Sequence, residues 1–168
     1  AEAIRSRAPR AKIDLYTRER ILPYYRPLLT KSLIRDIPEH EWFIRSEQEY
    51  ARQGITIHLG SDAQAIDRAQ KTVLIDRNPI HYDRLILATG AEPFRLPIPG
   101  IELPQVVALR GFEDRERIRS ILATGTKRVI VIGGGLLGLE AASTIREAGH
   151  EVTVIESAPW ILPRQIDP

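Results

Sequence analysis

One stretch constrains this chain more than any other: Lys127 to Glu156, KRVIVIGGGLLGLEAASTIREAGHEVTVIE. The run Val129, Ile130, Val131, Ile132 is β-branched and uninterrupted, the character of a strand buried on both faces of a parallel sheet. It stops at Gly133-Gly134-Gly135-Leu136-Leu137-Gly138, a G-x-G-x-x-G pattern placed where strand turns into helix. Gly133 permits the tight turn. Gly135 has no side chain to hold a pyrophosphate off the backbone, and Gly138 lets the helix pack close to the strand.

The helix is expected from about Leu136 to Ala148, with Gly149 ending it. Its first-turn N–H groups, those of Leu136 and Leu137 among them, and its partial positive charge favour an anion. A second strand, Glu151 to Ile155, delivers Glu156 about twenty residues after the glycines, where a carboxylate can accept both ribose hydroxyls of an adenosine. That favours NAD(H) over NADP(H), although an arginine brought near by the fold would still serve a 2′-phosphate.

The totals bound the rest. At 168 residues, 43% hydrophobic and 27% charged, the chain suits one complete domain or two incomplete ones. No run approaches the length of a membrane span and nothing at the chain's start resembles a signal peptide, so a cytoplasmic location is the expectation. The absence of cysteine excludes a disulfide, a Cys-ligated metal and a redox dithiol within this stretch. Arg5, Arg7, Arg10 and Lys12 form the main basic cluster, read as a solvated helix face and not as a nucleic-acid site. The four histidines, His40, His58, His81 and His150, have no metal-ligand spacing, and no metal is expected.

In chain order, AEAIRSRAPRA reads as the last turns of a helix stopped at Pro9, and Lys12 to Thr17 as a strand. YYRPLLTK enters a short helix to about Ile34. Ser46 and Glu49 form a capping box for a helix ended by Gly54. From Ile55 come short strands, ITIHL, Ala63 to Asp67 and Thr72 to Ile75, expected as a small antiparallel insert. Arg77-Asn78-Pro79 is the expected turn into a longer strand, His81 to Ala88, whose last four residues should be a buried parallel strand ending in Thr89-Gly90. The proline-rich Ala91 to Pro104 is the candidate interdomain connection, and Phe112 to Leu122 has helical spacing.

The order of these parts resembles the FAD-dependent pyridine nucleotide-disulfide oxidoreductase family. Four matches carry the resemblance: YYRPLLTK, the strand insert ending in AID, LILATGAEPF, and VIGGGLLGLEAA with VTVIE. YYRPLLTK and ILPRQID are most similar to NADH:rubredoxin reductases and to the flavin module of the NADH-dependent nitrite reductase large subunit. The implied fold is α/β: two Rossmann-like, doubly wound domains, both incomplete here, with the small antiparallel insert. Residues 1–109 would be a partial FAD-binding domain and 110–168 a partial NAD(H)-binding domain. The implied activity is hydride transfer from NADH to FAD, with electrons leaving to a small electron-carrier protein or a metal-centre acceptor of the rubredoxin, ferredoxin or nitrite reductase type. A homodimer is compatible with the resemblance.

The site residues follow from the same matches. Arg26 and Lys31 fall along the FAD, with Lys31 near the flavin ring. Ala63 corresponds to the backbone that reads adenine; Ala88, Thr89 and Gly90 to the turn beside the phosphates; Arg110 to an arginine contacting FAD; and Glu140 to a glutamate near nicotinamide and flavin. Read alone, Lys31 is a solvated helical lysine whose role rests on the match, while Arg110 is equally a surface arginine and Glu140 equally a helix-face carboxylate. The resemblance also implies an acid at the end of the first adenosine strand as a ribose ligand; Arg18 stands before Glu19, so that acid, Glu19, is displaced from the family's pattern.

Leu28 to Thr30 stand where disulfide-reducing members carry cysteines, so disulfide reduction is excluded. The family's FAD-binding G-x-G-x-x-G would precede the first helix, and its later Gly-Asp segment would follow Pro168. The chain is therefore expected to be a fragment, inactive alone, of a parent that holds FAD and turns over. The competing reading is a noncatalytic NAD-binding or regulatory module.

Overall fold

The computed structural model describes residues 1–163 and 165–166. The first elements are α1 (Glu2–Arg7), β1 (Ile13–Thr17), α2 (Leu28–Lys31), α3 (Glu39–Trp42) and α4 (Glu47–Arg52). Four strands follow, β2 (Ile55–Leu59), β3 (Ala63–Asp67), β4 (Thr72–Ile75) and β5 (Asn78–His81). The chain continues with α5 (Phe112–Leu122), β6 (Arg128–Ile132), α6 (Leu136–Glu147) and β7 (Glu151–Ile155). Two compact units result, Ala1–Tyr24 with Glu39–Gly90, and Tyr25–Pro38 with Ala91 onward.

In the first unit β1 and β2 run parallel from Ile13 opposite Ile55 to Thr17 opposite Leu59. β2 therefore belongs to a parallel sheet and not to the antiparallel insert expected of it. The period-2 pattern explains the pairing. Ile13 and Ile55 point to one face, where Tyr50 of α4 covers them and Ile4, Ala11, Leu22 and Ile57 close the cluster. On the strands' polar residues the Tyr16 and His58 rings stack at 4.2 Å, and His58 Nε2 lies 2.9 Å from Asp14 Oδ1, the main cause holding that carboxyl below its ordinary range. The Ser46 capping box forms as the spacing predicts: Glu49 N–H donates to Ser46 Oγ and Ser46 N–H to the Glu49 carboxylate.

The ends of α1 and α4 are joined by one side chain. Arg5 donates from Nε to Gln53 O at 2.6 Å, from Nη1 to Pro9 O at 2.6 Å and from Nη2 to Gly54 O at 2.7 Å. Orphan carbonyls at helix ends thus receive a planar cationic fork.

β3, β4 and β5 form the antiparallel insert. Its turn lies earlier than expected: Ile75 pairs with Asn78, leaving Asp76 and Arg77 as a two-residue loop with φ of 48° and 69°. This is the positive-φ pattern of a type I′ hairpin, whose twist matches the strands. Pro79 consequently sits inside β5, tolerated because β5 is the edge strand.

The strand expected from His81 to Ala88 does not form; β5 ends at His81. Leu85, Ile86 and Leu87 are exposed, and no described strand pairs with them. An apolar run calls for burial, but a strand also needs a neighbour to take its N–H and C=O groups.

In the second unit β6 and β7 pair in parallel, Arg128 opposite Glu151 through Ile132 opposite Ile155, with α6 as the crossover. Leu33, Leu122 and Ile145 centre the core, joined by Val129, Ala141 and Val152. Gly149, at φ 86°, ends α6 as expected. β6 is covered on one face only: Ile130 and Ile132 are exposed on the other, against the reading of burial on both. Two arginines one turn apart on α5 hold the 32–36 segment. The buried Arg115 donates to Ser32 Oγ at 2.8 Å and Ser32 O at 3.0 Å, while Arg119 reaches Ser32 O, Arg35 O and the Asp36 carboxylate.

Candidate functional site

The glycine turn between β6 and α6 is built as its spacing requires. Gly133 takes φ 112°, open to glycine alone, and its N–H donates to Ile155 O at 2.8 Å, extending the ladder by one rung. A Cβ at Gly138 would lie 2.0 Å from Gly133 O, so only glycine lets α6 sit this close to the turn. A Cβ at Gly135 would meet nothing within 4 Å, leaving the backbone approachable from outside.

Gly135 is also the N-cap of α6, with no side-chain cap and no acidic residue in the first turn. The first helical hydrogen bond runs from Leu139 N to Gly135 O. The N–H groups of Leu136, Leu137 and Gly138 precede it, as the open donors of any helix start do. An uncapped positive helix end beside open glycine backbone fits the pyrophosphate of a dinucleotide.

Glu156 follows β7 directly. Its carboxylate accepts from Gly134 N at 2.7 Å, Ala158 N at 2.8 Å and Ser157 Oγ at 3.2 Å. The Ala158 N–H foremost, then that of Gly134, holds the carboxyl below its ordinary range. The acid expected at the strand end is thus tied to the glycine turn through the Gly134 amide. Oε1 takes two donors and Oε2 one, so a lone pair of Oε2 can still receive a ribose hydroxyl.

Lys31 and Glu140, far apart in sequence, come together. Lys31 Nζ lies 4.0 Å from Glu140 Oε1, and Thr30 Oγ1 donates to Glu140 Oε2 at 2.5 Å. Glu140 lies on α6 itself, two residues after Gly138. Arg26 and Arg110 also meet, Arg26 Nη1 donating to Arg110 O at 2.9 Å and Arg110 Nε to Ala91 O at 2.5 Å. Glu19, Ala63 and Ala88 to Gly90 lie in the first unit on separate segments. Glu19 follows β1 and accepts the Tyr24 hydroxyl at 2.8 Å; Ala63 opens β3; Ala88 and Thr89 are exposed before Gly90, whose φ is 71°.

In sequence Thr30 stood out only as one of the positions where disulfide-reducing members carry cysteine, beside Lys31, and Arg115 has the spacing of an ordinary helix-surface residue. Of the ILPRQID match, Arg164 and Asp167 lie outside the described residues.

Residues 1–168 match the family model described as pyridine nucleotide-disulphide oxidoreductase. The chain is 39% identical over 158 residues to a rubredoxin-NAD(+) reductase of Pseudomonas putida, covering 93% of this chain and 41% of that protein. It is 40% identical over 152 residues to a nitrite reductase [NAD(P)H] of Bacillus subtilis, covering 86% and 18%. Among solved structures it resembles a ferredoxin reductase from Rhodopseudomonas palustris, with a TM-score of 0.91 and 32% identity over 99% of this chain and 41% of that one. The chain thus spans at most about two fifths of the length of these relatives.

Proposed function

The chain belongs to the pyridine nucleotide-disulphide oxidoreductase family, and on that premise we propose that the protein is an NADH-dependent flavoprotein reductase delivering electrons to a protein or metal-centre acceptor. The observation that carries the reading is that one end of α6 bears two things at once: the uncapped glycine turn and, two residues further, the Glu140 carboxylate beside Lys31. A helix that binds a dinucleotide at its start and presents an ion pair within its next turn suits a nucleotide delivered to a reacting partner.

In this reading the amides of Gly135 to Gly138 bind the NADH pyrophosphate and Glu156 accepts a ribose hydroxyl, which sets the preference for NADH over NADPH. Arg26, Lys31 and Arg110, with Glu19, Ala63, Ala88, Thr89 and Gly90, hold FAD. Residues 1–109 serve chiefly the flavin and 110–168 the nicotinamide nucleotide. Bound there, FAD would supply the chemistry that links a two-electron donor such as NADH to one-electron acceptors. Lys31 and Glu140 orient the reacting rings, and neither offers a thiol, so the chemistry here does not pass through a dithiol. The relatives named for rubredoxin and nitrite support acceptors of those kinds. No described helix is long and apolar enough to cross a membrane.

The test is the absorption spectrum of the full-length protein, followed by anaerobic titration with NADH and then NADPH. The expected result is a flavin spectrum bleached at much lower NADH than NADPH, with Glu156→Gln narrowing the gap. A protein that stays colourless after FAD is added, yet binds NADH, would instead be a nucleotide-binding module.

A further inference from the structure

The Lys31–Glu140 pair is loose. The nearest approach is 4.0 Å and both side chains reach solvent, so the ammonium alone does not fix how the carboxylate is turned. A second group does. Thr30 is 2% exposed, and its Oγ1 lies 2.5 Å from Glu140 Oε2 and 3.3 Å from Pro27 O. A hydroxyl has one proton to give, and the short contact to the charged oxygen takes it. With Oε2 held from below, Oε1 is the oxygen left facing Lys31.

The hydroxyl works from a fixed base. Threonine is stiff at χ1. Thr30 belongs to α2, whose C-cap Ser32 is fully buried and takes hydrogen bonds from Arg115 Nε and Nη2. The Thr30 side chain thus reaches α6 from a short helix pinned by a buried guanidinium, while the exposed Lys31 side chain has several rotamers open to it.

We infer that Thr30 is a positioning residue: through Oε2 it orients the Glu140 carboxylate, and so the Lys31–Glu140 pair, for reduction of the flavin. The inference rests on the reductase reading above. It assigns Thr30 no contact with nucleotide or flavin; it acts only through Glu140.

The test uses flavin-loaded full-length protein as wild type, Thr30→Ser, Thr30→Val, Glu140→Ala and the Thr30→Val/Glu140→Ala double variant. Valine keeps the shape and removes the proton, and Glu140 is exposed enough for water to take its place, so folding is retained. Stopped-flow bleaching by NADH should show the limiting rate in Thr30→Val reduced roughly tenfold, with half-saturating NADH unchanged within about twofold. Thr30→Ser should stay within about twofold of wild type, since serine keeps the donor. In the Glu140→Ala background Thr30→Val should cost nothing further. Thermal unfolding of the same proteins gives a readout apart from turnover, in which the Thr30→Val and Glu140→Ala shifts should combine to less than their sum. An unchanged rate in Thr30→Val, an equal loss with Glu140 absent, a serine variant as slow as valine, or additive melting shifts would each overturn the role. A wild type that NADH does not bleach removes the reductase reading and this role together. A wild type that bleaches beside an indifferent Thr30→Val removes this role alone.

Discussion

A methyl carbon at position 138 would stand 2.0 Å from a backbone oxygen, while one at position 135 would stand in open space. The two glycines of one motif therefore differ: packing demands the one at 138, and nothing packed against it demands the one at 135. Gly138→Ala should lower stability by about 1–3 kcal/mol, as overpacking does, and weaken NADH binding with it. Gly135→Ala, at an ordinary φ of −76°, should change stability by less than about 1 kcal/mol yet still weaken NADH binding. Melting curves and NADH titrations of both variants separate the two effects; equal melting losses would refute the division. The close packing at Gly138 was legible because a fixed spacing reports local backbone geometry. The partner of Glu140 was not. Thr30 lies 110 residues away, and a short polar side chain before a lysine says nothing of what it touches until the chain is folded.

Among the elements, those set by local rules came out where the sequence put them: the Ser46 box, the α5 helix over Phe112–Leu122, and the β6–α6–β7 unit with its terminal glycine. The misplaced ones depended on a neighbour. β2 pairs with a strand some forty residues earlier, and the 85–88 run has no described strand beside it. The hairpin turn was missed because Asp76 and Arg77 lack the glycine that usually marks a type I′ loop. The hold of α5 on α2 is of the same long-range kind. Arg115 stacks over Phe112 at 5.4 Å and gives two hydrogen bonds to Ser32, 83 residues away. Arg115→Met should destabilise by about 1–3 kcal/mol, the cost of buried acceptors losing a charged donor. Hydrogen exchange should quicken first at the amides of Ser32 and Leu33, and exchange unchanged there would show that α2 is held by other contacts.

At the scale of the whole molecule, two apolar clusters stand for two units: Ile13, Tyr50 and Ile55 in one, and Leu33, Leu122 and Ile145 in the other. The sequence announced apolar strands but not how far each would be covered; Ile130, Ile132 and Ile155 face outward because burial depends on what lies across the sheet. Arg5 shows the same dependence in time. Two of its three carbonyl partners, on Gln53 and Gly54, arrive nearly fifty positions after it. The fork cannot close until α4 has been laid beside α1, so it acts as a latch fastened after assembly, setting how long the first unit stays shut and not how quickly it forms. In a denaturant chevron Arg5→Lys, which keeps the charge but loses the fork, should leave the refolding limb in place. Its unfolding limb should rise roughly fivefold to thirtyfold, the equivalent of about 1–2 kcal/mol. A slower refolding limb would place this contact in the folding nucleus instead.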